Sequence, residues 1–441
     1  MLKTVLIIFG TLAVAAASKG YLEETPNVKD AKLCDPNVNQ YAGYYKLNTG
    51  DKNYFYWAFE SRNDPMKDPV VLWMTGGPGC SSEVALFGEN GPCKIEGDGK
   101  NGTSINAFSW NNNATLIYID QPTDTGFSYG KDLDHDEKEV SDDMYDFLKQ
   151  FFAAHDHLAS RDFYIFGESY AGHYVPAVSH RVWAGNKNAS SSEIINLKGL
   201  AIGNGLTDPE VQYAAYPDMA ASTNNHSAAL GKFAVGLMRV AVKPCVNKIK
   251  ECNEGKDSAC TSAYTECNLA LTSPYQATGM NPYDMRSKCE VKPLCYDFSN
   301  VGVYLSQPGV KTALGVDADR EWSSCNMDVN RMFMGDWMKN YQQELPDMLL
   351  DDVRVLVYAG DQDYICNWIG NKQWTLAMDW EHHDEYNAAT DDAYRLSSGL
   401  EVGKIRSSNG FSFLQIYQAG HMVPRDQPEV ALYMLNKFIG A

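Results

Sequence analysis

One run constrains the fold of this chain more than any other: Phe163-Tyr164-Ile165-Phe166-Gly167-Glu168-Ser169-Tyr170-Ala171-Gly172-His173. An apolar, β-prone stretch feeds a serine, and glycines at 167 and 172 flank it in the manner of a Gly-x-Ser-x-Gly nucleophile elbow. Residues Ala171 to Trp183 then carry helix-compatible spacing. Strand, sharp turn and helix together lift a serine hydroxyl out of the top of a parallel sheet, with small residues where side chains would crowd it. Glycine and serine also meet by chance in loops, and the chain has 35 glycines. The strand before and the helix after are what favour the elbow.

A serine hydroxyl needs a base, and the base needs an orienting carboxylate, in the chain order Ser, Asp, His for this elbow. Two strand-like runs end suitably. Val353 to Tyr358 leads into Ala359-Gly360-Asp361-Gln362-Asp363, and Phe411 to Tyr417 leads into Gln418-Ala419-Gly420-His421-Met422. Ligands of open α/β sheets sit beyond the carboxyl ends of the strands, so both loops are expected on the rim that carries Ser169. Position alone does not separate Asp361 from Asp363.

The remaining pattern fits one large unit. Tyr54–Phe59, Val70–Met74, Thr115–Ile119 and Lys198–Gly203 read as further strands, and Asp143 to Ala153 as an amphipathic helix. Strands alternating with helices imply an α/β fold with a mainly parallel sheet. From 206 to 324 the β signal fades and cysteines crowd in. The expected organisation is a first core segment over 18–205, a largely helical, disulfide-stapled cap insertion over 206–324, and a second core segment over 325–441.

Residues 1–17 read as a secretory signal: Lys3, then about thirteen apolar residues, then small residues for cleavage. No other run is long enough to span a bilayer. Asn101, Asn113, Asn188 and Asn225 stand in Asn-x-Ser/Thr triplets and are candidate glycosylation sites. The net charge of −19 argues against nucleic acid and anionic membrane surfaces as partners. Eleven cysteines are present. Cys245 and Cys252 are two helical turns apart, as are Cys260 and Cys267, so antiparallel helices would pair Cys245 with Cys267 and Cys252 with Cys260. Structural zinc ligands are more closely spaced, and adjacent His382 and His383 do not share a helix face, so no metal is expected.

The motifs carry a further signal. Gly76-Gly77-Pro78-Gly79-Cys80-Ser81-Ser82, Asp120-Gln121-Pro122, Gly167-Glu168-Ser169-Tyr170-Ala171-Gly172, Gly203-Asn204-Gly205, Gly360-Asp361-Gln362-Asp363-Tyr364-Ile365-Cys366-Asn367 and Gly420-His421-Met422-Val423-Pro424 resemble those of serine carboxypeptidases over essentially the whole mature length. The resemblance implies an α/β-hydrolase fold and a triad of Ser169, His421 and Asp363, with Asp361 left to shape its loop. It implies oxyanion donors at Gly77 and Tyr170, and a site for the substrate's terminal carboxylate at Thr75, Gly76, Glu89 and Glu168. It adds bridges Cys289–Cys295 and Cys80–Cys325. Cys34 and Cys93 lie outside the matched positions and are expected to form an extra bridge, which leaves Cys366 free by parity. A long pro-segment ahead of residue 35 is not expected.

By the same resemblance, the pocket for the C-terminal residue uses Val84, Gly88, Tyr283 and Met422. That for the penultimate residue uses Tyr170, Leu206, Tyr213, Tyr216, Trp337, Ile365 and Cys366. Val84 and Gly88 replace a threonine and a phenylalanine of the pattern, so Gly88 is expected to make room for bulkier terminal side chains. Thr75 replaces an asparagine, which predicts weaker hold on the terminal carboxylate. The function implied is release of C-terminal residues from peptides and proteins at acidic pH, without cofactor, in a secreted, lysosomal or vacuolar setting; the oligomeric state stays open. Two alternatives are an acyltransferase built on the same triad, and a protective subunit for a partner glycosidase.

Overall fold

The computed structural model describes residues 21–24, 32–191, 193–221, 227–292 and 294–440. The stretch read as a signal and Asn225 lie outside them. The main sheet runs β1 (Tyr21–Glu24), β2 (Gln40–Lys46), β3 (Lys52–Phe59), β4 (Val70–Thr75), β5 (Thr115–Ile119), β6 (Phe163–Glu168), β7 (Leu197–Gly203), β8 (Arg354–Gly360), β9 (Asp392–Arg395), β10 (Glu401–Ser408) and β11 (Phe411–Ile416) in chain order. In space the order is β1-β2-β3-β5-β4-β6-β7-β8-β11-β10-β9, with a short strand Tyr129–Gly130 beside β3. The six strands β5, β4, β6, β7, β8 and β11 are mutually parallel. Antiparallel hairpins flank them on both sides.

The central strands are buried on both faces, which is why they read as unbroken apolar runs. In β4, Val70, Leu72 and Met74 enter one core while Val71 and Trp73 enter the other. Helices α1 (Glu137–Ala154) and α2 (Ala171–Asn186) cover the first face; the last helix, Pro428–Ile439, covers the second. A period-2 strand between two cores leaves little freedom of register, because a one-residue slip would exchange the two faces.

Between β7 and β8 the described residues form mostly helices, with one two-stranded hairpin, Met280–Asn281 with Asp284–Lys288. Helices Lys232–Asn253 and Asp257–Cys267 pack together through bridges Cys245–Cys267 and Cys252–Cys260. Three further bridges are present: Cys34–Cys93, Cys80–Cys325 and Cys289–Cys295. Cys366 is free and buried. No helix among the described residues is long and apolar enough to cross a membrane. Asn101 and Asn188 are exposed, and Asn113 is half-buried.

Candidate active site

At the end of β6 the chain turns sharply, and Ser169 adopts φ +70°, a left-handed conformation uncommon for a residue with a side chain. The fifth place of the elbow is Ala171, and the second glycine comes one residue later. Both glycines are required by close approaches. A Cβ on Gly167 would lie 2.6 Å from the Met74 carbonyl, and one on Gly172 would lie 2.4 Å from the Leu206 carbonyl. Gly76 is as tight as Gly172, because its Cβ would stand 2.4 Å from the Tyr170 nitrogen. That absence of a side chain lets the Gly76-Gly77 loop approach the elbow. Among the described residues, neither the Gly77 nor the Tyr170 backbone N–H finds an acceptor.

Asp363 and His421 come from the loops after β8 and β11, neighbours in the sheet. His421 Nδ1 lies 2.7 Å from Asp363 Oδ2, both groups being buried. The carboxylate also accepts from Asn204 Nδ2 at 2.8 Å and from the Ile365 and Cys366 N–H groups at 3.0 and 3.3 Å. Asp361 instead accepts from the Gln418 N–H at 2.8 Å, tying the two loops together. The helical segment takes part as well: the Tyr283 carbonyl accepts from the His421 N–H at 2.7 Å, and the Pro282 carbonyl from those of Tyr364 and Ile365 at 3.0 Å.

Ser169 and His421 open into one cavity of about 410 Å³, within the range of small-ligand sites. Thr75, Gly76, Gly77, Val84, Glu168, Tyr170, Leu206, Tyr213, Tyr216, Tyr283, Trp337, Ile365, Cys366 and Met422 line it too. Asp363 and Glu89 do not; each stands behind a lining residue. Burial pushes the Cys366 thiol well up, so it stays protonated. Thr75 Oγ1 accepts from the Trp73 indole at 3.0 Å, which occupies part of its capacity.

Glu168 and Glu89 meet as a buried pair. Burial, and then the neighbouring Glu89, holds the Glu168 carboxyl well above its ordinary range. Burial likewise pushes Glu89 up to about 7. Two buried carboxyls side by side cannot both ionise cheaply, so the pair favours keeping at least one proton.

Gly88 departs from expectation. It does not line the cavity; Phe298, from the helical segment, does, and its Cε1 stands 3.4 Å from where a Gly88 Cβ would be. The room anticipated at Gly88 is filled by this ring. Phe298, Tyr264, Asn268 and Thr272 of the cavity lining, and Asn204 on the Asp363 carboxylate, escaped the sequence reading. Only Asn204 carried a signal, as the centre of Gly203-Asn204-Gly205.

A family model for serine carboxypeptidases matches residues 26–441. Carboxypeptidase Y homolog A of Talaromyces stipitatus is 44% identical over 415 residues, covering 92% of this chain and 73% of that protein. Serine carboxypeptidase-like 48 of Arabidopsis thaliana is 45% identical over 427 residues, covering 94% and 79%. The crystal structure of a prohormone-processing carboxypeptidase from Saccharomyces cerevisiae superposes with a TM-score of 0.79 at 27% identity, covering 93% of each chain. An elbow serine and a paired His and Asp on the rim of an α/β-hydrolase sheet, together with these likenesses, place the chain in the serine carboxypeptidase family of peptide hydrolases.

Proposed function

We propose that the chain releases C-terminal residues from peptides at acidic pH through an acyl-enzyme. Ser169 attacks the last peptide carbonyl, and His421 takes its proton and returns one to the leaving amine. Asp363 fixes the imidazole tautomer and stabilises its charged form. The oxyanion meets the N–H groups of Gly77 and Tyr170, and loss of one such donor costs about a hundred- to a thousandfold in turnover. The helical segment 206–324 serves as a cap that supplies part of the cavity wall. Tyr213, Tyr216, Trp337 and Ile365 favour an apolar penultimate residue.

Exopeptidase action needs a group that grips a free carboxylate beside the scissile bond. The observation that carries this reading is Glu168, a buried carboxyl at the cavity wall next to the elbow serine, which burial and the neighbouring Glu89 hold well above its ordinary range. A neutral carboxyl donates to an anion, whereas an ionised one repels it. Thr75 and the Gly76 backbone complete this grip. Five disulfides and an acid-adapted site support maturation in the secretory pathway and work in an acidic or extracellular compartment.

The test uses blocked dipeptides that differ only in a C-terminal acid or amide, assayed from pH 4 to 8, with Ser169→Ala as control. The expected result is cleavage of the acid, strongest at low pH, and none by the variant. Equal cleavage of acid and amide, or release of internal fragments from longer peptides, would overturn the reading. Faster transfer of an acyl ester to an alcohol than hydrolysis would favour an acyltransferase.

A further inference from the structure

The Tyr170 side chain enters a buried acid–tyrosine cluster whose other members have no part in the chemistry described so far. The Asp336 side chain is fully buried. Its Oδ2 accepts from the Tyr170 hydroxyl at 2.9 Å, and its Oδ1 from the Tyr341 hydroxyl at 2.8 Å, with Lys339 Nζ 3.4 Å away. Glu137 stands beside it with both oxygens buried and unpartnered, and burial followed by the Asp336 charge pushes its carboxyl well up. His173 fills the other side, its ring 4.5 Å from that of Tyr170; burial holds its pKa down.

Tyr170 follows the nucleophile directly. Its N–H sits at a place set by two consecutive backbone conformations: Ser169 at φ +70° and Tyr170 at φ −58°, ψ −16°. A left-handed residue with a side chain is costly and keeps its shape only where its surroundings over-determine it. Tyr170 reaches away from the elbow to one charged anchor. That anchor adjoins Trp337, which packs on the Tyr170 ring at 5.2 Å and lines the cavity. The same stretch of chain begins at Cys325, bridged to Cys80 in the loop that offers the Gly77 N–H. The two N–H groups facing the oxyanion are therefore tied to one wall, Gly77 through a disulfide and Tyr170 through Asp336.

We infer that Asp336 is a positioning residue, which holds the Tyr170 N–H in line for the oxyanion through the Tyr170 hydroxyl. This rests on the proposed serine mechanism. A misplacement of even one ångström at such a donor weakens the transition state far more than the ground state. An anchor of this kind thus acts on kcat and on transition-state mimics, whereas a packing role acts on stability and on all ligands alike.

Tyr170→Phe keeps the ring and deletes the anchor bond; Asp336→Ala deletes the acceptor; Asp336→Asn keeps an amide oxygen able to accept. Each full-length variant would be assayed for kcat and KM on a blocked dipeptide. Inhibition would be measured with a blocked peptide aldehyde and with the matching product acid, and melting temperature recorded alongside. Ser169 Oγ adds to the aldehyde carbon, the carbonyl π pair moves to oxygen, and the hydroxyl proton passes to His421, so the adduct reports the oxyanion site.

Tyr170→Phe and Asp336→Ala are each expected to lower kcat and weaken aldehyde inhibition by about tenfold or more, with KM and acid inhibition within about threefold. The double variant should be no worse than either single, and Asp336→Asn should recover most of the loss. Tyr341→Phe, which removes the other hydroxyl on this carboxylate, should lower the melting temperature and leave the aldehyde-to-acid ratio alone. Tyr170→Phe with wild-type kcat and aldehyde inhibition would overturn the inference, as would equal weakening of both inhibitors. If Asp336→Ala does not fold, Tyr170→Phe decides alone. A wild type indifferent to the aldehyde would overturn the serine mechanism and this inference with it, which separates the two failures.

Discussion

Phe298 occupies the space beside Gly88, its Cε1 3.4 Å from the position of a Gly88 Cβ. The ring lines the cavity on the side of Val84, Tyr283 and Met422, where the substrate's last side chain is proposed to sit. Phe298→Ala is expected to raise kcat/KM for C-terminal Phe or Trp over C-terminal Ala by about tenfold, the scale of a few methylenes in an apolar pocket. Gly88→Phe should be harmful alone through overpacking, and should restore the original preference in the Phe298→Ala background. Competition assays on peptide mixtures check both; an unchanged ratio would place Phe298 outside the pocket.

Asn204 bridges two loops, donating to Asp363 at 2.8 Å and accepting from the Gly360 N–H at 3.1 Å. It sits at φ +39°, so Asn204→Gly removes both contacts without adding backbone strain. A buried hydrogen bond to a charged group is worth enough that kcat/KM should fall about ten- to a hundredfold. Steady-state kinetics at several pH values test this. Full activity in the variant would mean that the other donors suffice to hold Asp363.

Burial raises Glu89 to about 7 and holds Glu168 well above its ordinary range as well, so both carboxyls are neutral in acid and the pair gives up a proton as pH climbs. The new charge on the pair repels a substrate carboxylate. KM for peptide acids should therefore rise above about pH 7, with little change for amides or esters. Glu89→Gln, which removes the carboxyl raised to about 7, should flatten that rise. A KM that stays level from pH 5 to 8 in the parent enzyme would remove the pair from substrate recognition.

Stability should follow the same direction. Burial raises Asp143 and Asp208 to about 6, while unfolded carboxyls titrate near about 4. The fold thus holds more protons than the unfolded chain between those values, and it loses stability as pH rises through the folded pKa. From these two groups, melting temperature is expected to be highest at about pH 4 and below and to decline until about pH 6 to 7, where their contribution is spent. Asp208→Asn keeps the cap on the Val211 N–H and should make the decline shallower. A melting temperature that climbs with pH over this window would contradict the assignment.

Much of this architecture was written in local chemistry. Strand β6 and its glycines announced the elbow, because close backbone approaches leave few residue choices. The two loops with Asp363 and His421 followed from the order that such an elbow demands. The flanking antiparallel strands Gln40–Lys46 and Glu401–Ser408 were not read, since Gly, Lys and Arg interrupt their apolar pattern. Phe298 was not legible for a different reason. Its neighbour Gly88 is far away in the chain, and no local pattern states that a ring missing in one segment is supplied by another. Asp336 likewise looks like any surface acid until Tyr170 and Tyr341 close on it.

The bridge from Cys80 to Cys325 joins the early half of the chain to the late one, and Asp363 and His421 both stand near its end. Translation delivers Ser169 long before its base exists. A nascent polypeptide that still lacks His421 carries an inert hydroxyl in place of a protease. The cell that makes it is spared until the final parallel strand and the loop after it complete the machine.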